Sequence, residues 1–386
     1  MRIALVPSAY HPAVGGVETL SSRLAAALVA MGHEVEVWTH GGPDLERHEV
    51  VDGIPVSRLA FPLPQSCPAQ VPHTVVEAAG TVRQLGRALR RFRPDVLHVQ
   101  CFSGNGAWAL GAASLFSVPL VVTLQGETVM DDSDIYQRST SLRWALRSAL
   151  RRADVVTGCS QFTLDHAQGL TGVVRPDAVV VFNGTDPGEP ATVGVRLPYS
   201  RYLAAVGRVV PKKGFDLLLD AFAYVGEAHP GVGLVIGGRG RASDDLARHA
   251  VELGLAGRVQ LTGVLRPPEV AGVMAGAEVV VMPSRVEPFG IVALEAWRSG
   301  RPVVVTSRGG APEFVRDGVD GLVADPFDRR ALAGAISRLL DDPGLGAALA
   351  AGGRRRLADF AWPVLAARYL ELYETARRHR LRGERP

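Results

Sequence analysis

Short apolar runs punctuate the chain, and longer stretches with helical spacing separate them. In the first half the runs at 3–7, 34–39, 56–60, 95–100, 119–124, 154–158 and 179–182 read as strands. The rhythm repeats at 202–206, 233–236, 259–261, 279–282 and 303–306. Apolar positions three and four apart predict helices over 17–31, 74–92, 142–152, 291–297 and 363–378, with two more after Asp328. Gly32 and the pair Ser299-Gly300 act as stops. Strands that are apolar throughout and alternate with helices belong to parallel sheets covered on both faces. The expected fold is therefore α/β, with two Rossmann-like domains facing each other across a cleft. Their ligands should sit at the carboxyl ends of the strands. The Pro- and Gly-rich segment 186–198 reads as the linker. The expected domains are 1–190 and 198–362, with 363–386 as a terminal helix.

Composition narrows the function classes. At 386 residues the chain exceeds one ordinary core. A content of 47% hydrophobic and 21% charged residues is globular, and a net charge of +3 gives no case for nucleic acid. No apolar run approaches the roughly 18 residues of a membrane span. The β-like start at 1–7 lacks a signal-peptide pattern, so a cytoplasmic protein is expected. Cys67, Cys101 and Cys159 make no C-x-x-C pair, and no metal-ligand spacing is visible, so no metal or other cofactor is expected. Lys212 and Lys213 are the chain's only lysines, although lysine and arginine together number 42.

The stretch 283–296, PSRVEPFGIVALEA, holds the densest chemistry. It follows the strand at 279–282 and opens the helix at 291. Glu287 falls on the turn and Glu295 about one turn into the helix. The amides of Phe289, Gly290 and Ile291 lie at the helix N-terminus, where anions are favoured. Two carboxylates around such a hole suit a ligand carrying both phosphates and hydroxyls, such as a nucleotide sugar. Acidic residues near a helix start also have a purely structural use.

Other candidates sit at strand ends too. Arg208 and Lys213 occupy the turn after 202–206 and suit a diphosphate, though such charges often line a solvated turn. Gly15-Gly16 follows the first strand and opens a helix, either as a close-approach site or as a simple turn. Gly237-Gly238-Arg239-Gly240 is equally ambiguous. Of His11 and His98, the latter lies within a strand and reads as a packed core residue. On the helix at 74–92, Arg83, Arg87, Arg90 and Arg91 are expected on one face, with Val82, Leu85, Leu89 and Phe92 on the other. That basic face is either an ordinary solvated one or a peripheral contact with anionic lipid at the inner face of the membrane.

Taken together, these motifs resemble those of the retaining glycosyltransferases of family four, which have the GT-B fold. The resemblance rests on Glu287-x7-Glu295 and on Gly300-Arg301-Pro302-Val303-Val304. Gly309-Gly310-Ala311-Pro312-Glu313, Gly207-Arg208 with Lys213-Gly214, and Tyr10-x-Pro12-x-x-Gly15-Gly16-x-Glu18 also carry it. It implies that Glu287, Arg208 and Lys213 are catalytic: Glu287 faces the donor-sugar hydroxyls and the two cations hold the diphosphate. Glu295 would bind the ribose. The implied donor-binding set is Gly15, Gly16, Gln125, Arg208, Lys213, Val264, Glu287, Phe289, Gly290, Ile291 and Glu295. The final helix would cross back onto the first domain. The implied partners are a nucleoside-diphosphate sugar and a hydroxyl-bearing acceptor, joined by metal-independent, retaining transfer of a hexose. Many relatives carry histidine where Gln100 and Gln125 stand here, which leaves the sugar open. A non-catalytic nucleotide-sugar sensor, or an epimerase or phosphorylase on the same fold, are the alternatives.

Overall fold

The structure, a computed structural model, describes every residue except 14, 43–44, 64–70, 132–133 and 383–386. Cys67 and most of the Pro-rich loop at 62–72 thus lie outside the described residues. The chain forms two compact units, Met1–Gly184 with Trp362–Pro386, and Thr185–Ala361. The Pro- and Gly-rich segment belongs to the second unit, where Val193 N–H donates to the Pro268 carbonyl at 2.8 Å.

The first unit contains β1 (Arg2–Pro7), β2 (Glu34–His40), β3 (His48–Val51), β4 (Ile54–Leu59), β5 (Val96–Gln100), β6 (Leu120–Leu124), β7 (Val155–Gly158) and β8 (Val179–Val180). They form one sheet in the order β3-β4-β2-β1-β5-β6-β7-β8, parallel except for the β3–β4 hairpin. The order reverses at β1, so the ends of β1 and β5 flank a topological switch point. Gly15 caps the helix Gly16–Ala30 after β1. The C-terminal helix Trp362–Arg382 buries Leu365, Tyr369, Leu372, Tyr373 and Ala376, a stripe at helical spacing, and packs on β5, β6 and β7.

The second unit contains β9 (Tyr202–Val206), β10 (Gly233–Gly237), β11 (Val259–Gly263), β12 (Val279–Met282), β13 (Val303–Thr306) and β14 (Leu322–Ala324). Their order, β11-β10-β9-β12-β13-β14, is all parallel and reads 3-2-1-4-5-6 when counted from β9. β9 and β12 are paired neighbours. The turns leaving these two strands, far apart in sequence, therefore emerge side by side.

Several elements escape the periodicity. The hairpin strand β3 holds only four residues, His48–Val51, and alternates exposed with half-buried positions. The helices Gly104–Phe116 and Gln161–Thr171 lack a strong apolar–polar contrast, the first being rich in glycine and alanine. On the helix Val71–Phe92 one assignment is corrected. Arg83, Arg87, Arg90 and Arg91 are all exposed, and Arg91 also pairs with the buried Glu36 and donates to Ser57 Oγ at 2.8 Å. Val82, expected on the apolar face, is also exposed. Leu85 and Leu89 are buried as expected.

Candidate active site

In the second unit, two turns define the candidate site. After β9, Arg208 is exposed while Val209 and Val210 are buried. The chain then closes a tight turn at Pro211–Lys213 and reaches Gly214 in the left-handed region at φ 67°. Any side chain at Gly214 would place its Cβ 2.1 Å from the Pro283 carbonyl oxygen, so only glycine lets this turn meet the turn after β12. Arg285 N–H donates to the Lys212 carbonyl at 2.9 Å and completes the seam.

Across that seam Lys213 Nζ lies 2.7 Å from Glu287 Oε2, and the same oxygen accepts from Ser284 Oγ at 2.7 Å. The two side chains are only 17% and 8% exposed, so the pair sits well out of bulk water. The backbone of Glu287 is held on its other side: its N–H donates to the Arg308 carbonyl at 2.9 Å, and its carbonyl accepts from Gly310 N–H at 2.8 Å. Gly309, at φ +117°, approaches so closely that a Cβ would stand 2.1 Å from the Glu287 carbonyl oxygen. The Gly309-Gly310 pair thus has a physical function, which is to clamp the turn that carries Glu287.

Beyond the turn, Gly290 caps the helix Ile291–Arg298 with no side chain satisfying its amides at the cap. Glu295 is half-buried on this helix. Burial pushes its carboxyl up to about 7, against the pull of Arg298 and Lys213. Lys213 thus meets Glu287 and acts on the charge of Glu295, a juxtaposition that follows from the pairing of β9 with β12. Two members of the expected set do not join them as side chains. The Phe289 ring is 3% exposed and stacks on Phe314 at 4.4 Å between centroids, which leaves its backbone as the candidate contact. Val264 follows β11, the edge strand, and is 75% exposed. The ambiguous Gly237–Gly240 turn supports Arg208 from behind: Val209 N–H donates to the Arg239 carbonyl at 3.2 Å.

The first unit assembles a different group at its strand ends. Gln125, just past β6, donates through Nε2 to Gln100 Oε1 at 2.9 Å. Gln100 Nε2 lies 3.1 Å from His98 Nε2, and His98 Nδ1 lies 2.6 Å from the Tyr373 hydroxyl. His98 is fully buried, as read from the sequence, and burial drives its pKa down to about 3. Glu127 ties the two strand ends together, accepting from Phe102 N–H and Gln125 N–H at 2.7 Å each. Burial raises this carboxyl to about 7 in spite of those bonds. Periodicity could not find Glu127, Ser284, Tyr369 or Tyr373 as site-supporting residues. The one available signal was the repeated placement of polar residues at strand ends.

With two doubly wound units in one chain and an acidic–basic site at a switch point, the architecture can be compared with known proteins. Sucrose-phosphate synthase from Thermosynechococcus elongatus aligns over 97% of this chain and 98% of its own, with a TM-score of 0.78 at 24% identity. HepE of Anabaena, solved in complex with UDP, aligns over 97% and 100%, with a TM-score of 0.74 at 22% identity. These likenesses establish the GT-B fold. The family model "Glycosyl transferases group 1" matches residues 198–356, and "Glycosyl transferase 4-like domain" matches 15–184. Glycogen synthase of Mycobacterium tuberculosis is 31% identical over 410 aligned residues, covering 100% of this chain and 96% of that protein. A D-inositol 3-phosphate glycosyltransferase of Thermobispora bispora is 32% identical, covering 94% and 90%. The chain therefore belongs to the group 1, GT4-type glycosyltransferases.

Proposed function

We propose that this glycosyltransferase moves a hexose from a nucleoside-diphosphate sugar to an acceptor hydroxyl, keeping the anomeric configuration and using no metal. The observation that carries the reading is the Lys213–Glu287 pair, held at the β9–β12 switch point beside Glu295 and a helix N-terminus whose cap is a glycine. In this reading Lys213 and Arg208 hold the diphosphate, aided by the amides of Phe289, Gly290 and Ile291. Glu287 receives the sugar hydroxyls and Glu295 the ribose hydroxyls. Gly15, Gly16, Gln125 and Val264 complete the candidate donor contacts. HepE, solved with UDP-glucose and with UDP and glucose, supports a uridine donor as the first to try.

The reaction breaks the bond between the anomeric carbon and the diphosphate oxygen and forms one to the acceptor oxygen on the same face. The acceptor proton passes to the departing phosphate oxygen. The protein's part is electrostatic: cations placed in advance stabilise the charge that builds on the leaving group. Before donor binding, Lys213 is neutralised by Glu287. A diphosphate therefore competes for a cation already in position rather than ordering a mobile one. A thermal-shift screen of nucleoside diphosphates identifies the base, since a bound ligand raises apparent stability by mass action. Transfer assays with the matching sugar follow, with the anomeric proton coupling of the product read by NMR. An inverted product refutes the retaining mechanism, and full loss of transfer in chelator refutes metal independence.

A further inference from the structure

Glu287 has two carboxylate oxygens, and the protein treats them differently. Lys213 Nζ and Ser284 Oγ each lie 2.7 Å from Oε2. Oε1 accepts from no described residue, although it is not sealed from solvent. The direction of these bonds follows from the groups themselves. An ammonium and a hydroxyl donate, whereas an ionised carboxylate only accepts. The two oxygens of a carboxylate are chemically equal, so the asymmetry comes from where the protein puts its donors. One oxygen is served twice and the other is left open.

The two donors differ in what else they can reach. The Lys213 side chain is 17% exposed, and in the reading above its charge turns to a diphosphate. Ser284 is fully buried, so its hydroxyl is out of reach of a ligand. Among the described residues that hydroxyl bonds to Glu287 alone. A buried hydroxyl without a partner is costly, so this bond persists when the ammonium leaves. The position of Ser284 is equally firm. It stands two residues past β12, between Pro283, whose carbonyl packs against Gly214, and Arg285, whose N–H donates to the Lys212 carbonyl at 2.9 Å. The backbone of Glu287 is held through Arg308 and Gly310. Its side-chain torsions are what remains free, and Ser284 sets them from the far end.

We propose that Ser284 is a positioning residue: by holding Oε2 of Glu287 independently of Lys213, it keeps Oε1 free as the acceptor for a single hydroxyl of the donor sugar. The substrate half of this statement rests on the glycosyl-transfer reading above. It divides the work between two donors to one oxygen. Lys213 is released to the phosphates, and Ser284 keeps the carboxylate in place for the sugar.

Crystal structures of the full chain test the positioning half without any ligand. In Lys213→Ala the carboxylate is expected to keep its place and its bond to Ser284. In the Lys213→Ala/Ser284→Ala double variant it is expected to lose that orientation. A carboxylate that swings away in Lys213→Ala, or one that stays put in the double variant, overturns the proposal. Binding titrations with UDP and UDP-glucose test the substrate half. Ser284→Ala is expected to keep the Kd for UDP within about twofold and to raise that for UDP-glucose about tenfold, the scale of a hydrogen bond to a charged group. UDP carries the diphosphate without the sugar, so a general loosening of the turn weakens both ligands alike, and equal losses overturn the link to substrate. UDP-glucose analogues that each lack one ring hydroxyl complete the test. The analogue that wild type binds worst is expected to bind Ser284→Ala equally well, within about twofold, because the contact is already gone. A further tenfold loss for that analogue overturns the link. A wild type that does not bind UDP-glucose counts against the glycosyl-transfer reading and the substrate half of this proposal, while the positioning half stands or falls on the two structures.

Discussion

The parallel strands β4-β2-β1-β5-β6-β7 of the first unit follow the same order as the six strands of the second, and both units place polar residues at strand ends, yet they hold them by opposite means. In the second unit the switch point carries charge: a lysine and a glutamate 2.7 Å apart, with a second carboxylate nearby. In the first unit the strand ends carry a neutral chain of tyrosine, histidine and two glutamines. The difference follows from what each can recognise. Charged groups gain most from phosphate, and their pairing with each other keeps them tolerable while the site is empty. Neutral amides match hydroxyls in direction and cost less to bury. One topology thus supports two chemistries, and the site residues, not the fold, decide which.

The sharpest way to break this contrast is to unpair the charges. Glu287→Ala leaves Lys213 partly buried without its partner, and the expected loss of stability is about 3–5 kcal/mol, read as a lowered denaturant midpoint. A midpoint near wild type would show that the pair is open to water. Gln125→Ala should instead spare stability and cost roughly 1–3 kcal/mol in kcat/KM for the true donor. The cost should be smaller for a donor lacking the contacted hydroxyl. Equal losses for both donors with a lowered Tm would assign Gln125 to holding its loop. Lys213→Ala should lower kcat at least tenfold, about 1.4 kcal/mol of barrier. Arg208→Ala should act similarly, and the double variant should fall short of the sum if both serve one diphosphate. Wild-type turnover in either single variant refutes that role.

A pH series compares the two half-buried glutamates whose carboxyls are raised by desolvation. Glu127 and Glu295 are each raised to about 7 from an ordinary 4.5. Between those values the native state keeps protons that the unfolded chain releases. Their contribution to stability is therefore full below about pH 4.5 and is lost as pH rises through about 7, with a slope of at most ~1.4 kcal/mol per pH unit for each group. Glu295→Gln and Glu127→Gln should each flatten the curve in that window, and an unchanged curve in both would contradict the burial of these groups. The smallest effect concerns Arg83, Arg87, Arg90 and Arg91, which are exposed on their helix. If this face docks to anionic vesicles, binding should fall with added salt and in the quadruple glutamine variant. Equal partitioning leaves an ordinary solvated face.

Much of this architecture can be read without coordinates. The runs at 202–206 and 279–282 are apolar on both sides, which only a covered parallel sheet tolerates, and β9 and β12 appear there. Glu287 and Glu295 stand on a turn and a helix because proline, glycine and helical spacing are local signals. The helix Gly104–Phe116 was not legible, since its glycines and alanines give no contrast between faces. The partner of Arg91 was not legible, because helical spacing shows which residues neighbour it on the helix, but not that a buried Glu36 waits on another strand.

Local pattern thus determined the elements, the strand-end location of the candidate residues and the placing of Glu287 and Glu295 on a turn and a helix, because these depend on residues a few positions apart. The tertiary structure decided what only strand order can bring together. Lys213 meets Glu287 across 74 positions because β9 and β12 are paired. His98 meets Tyr373 across 275 positions because the last helix lies on β5. Neither contact leaves a periodic trace, since hydrogen bonds and ion pairs depend on positions in space and their donors and acceptors need no repeating order in sequence.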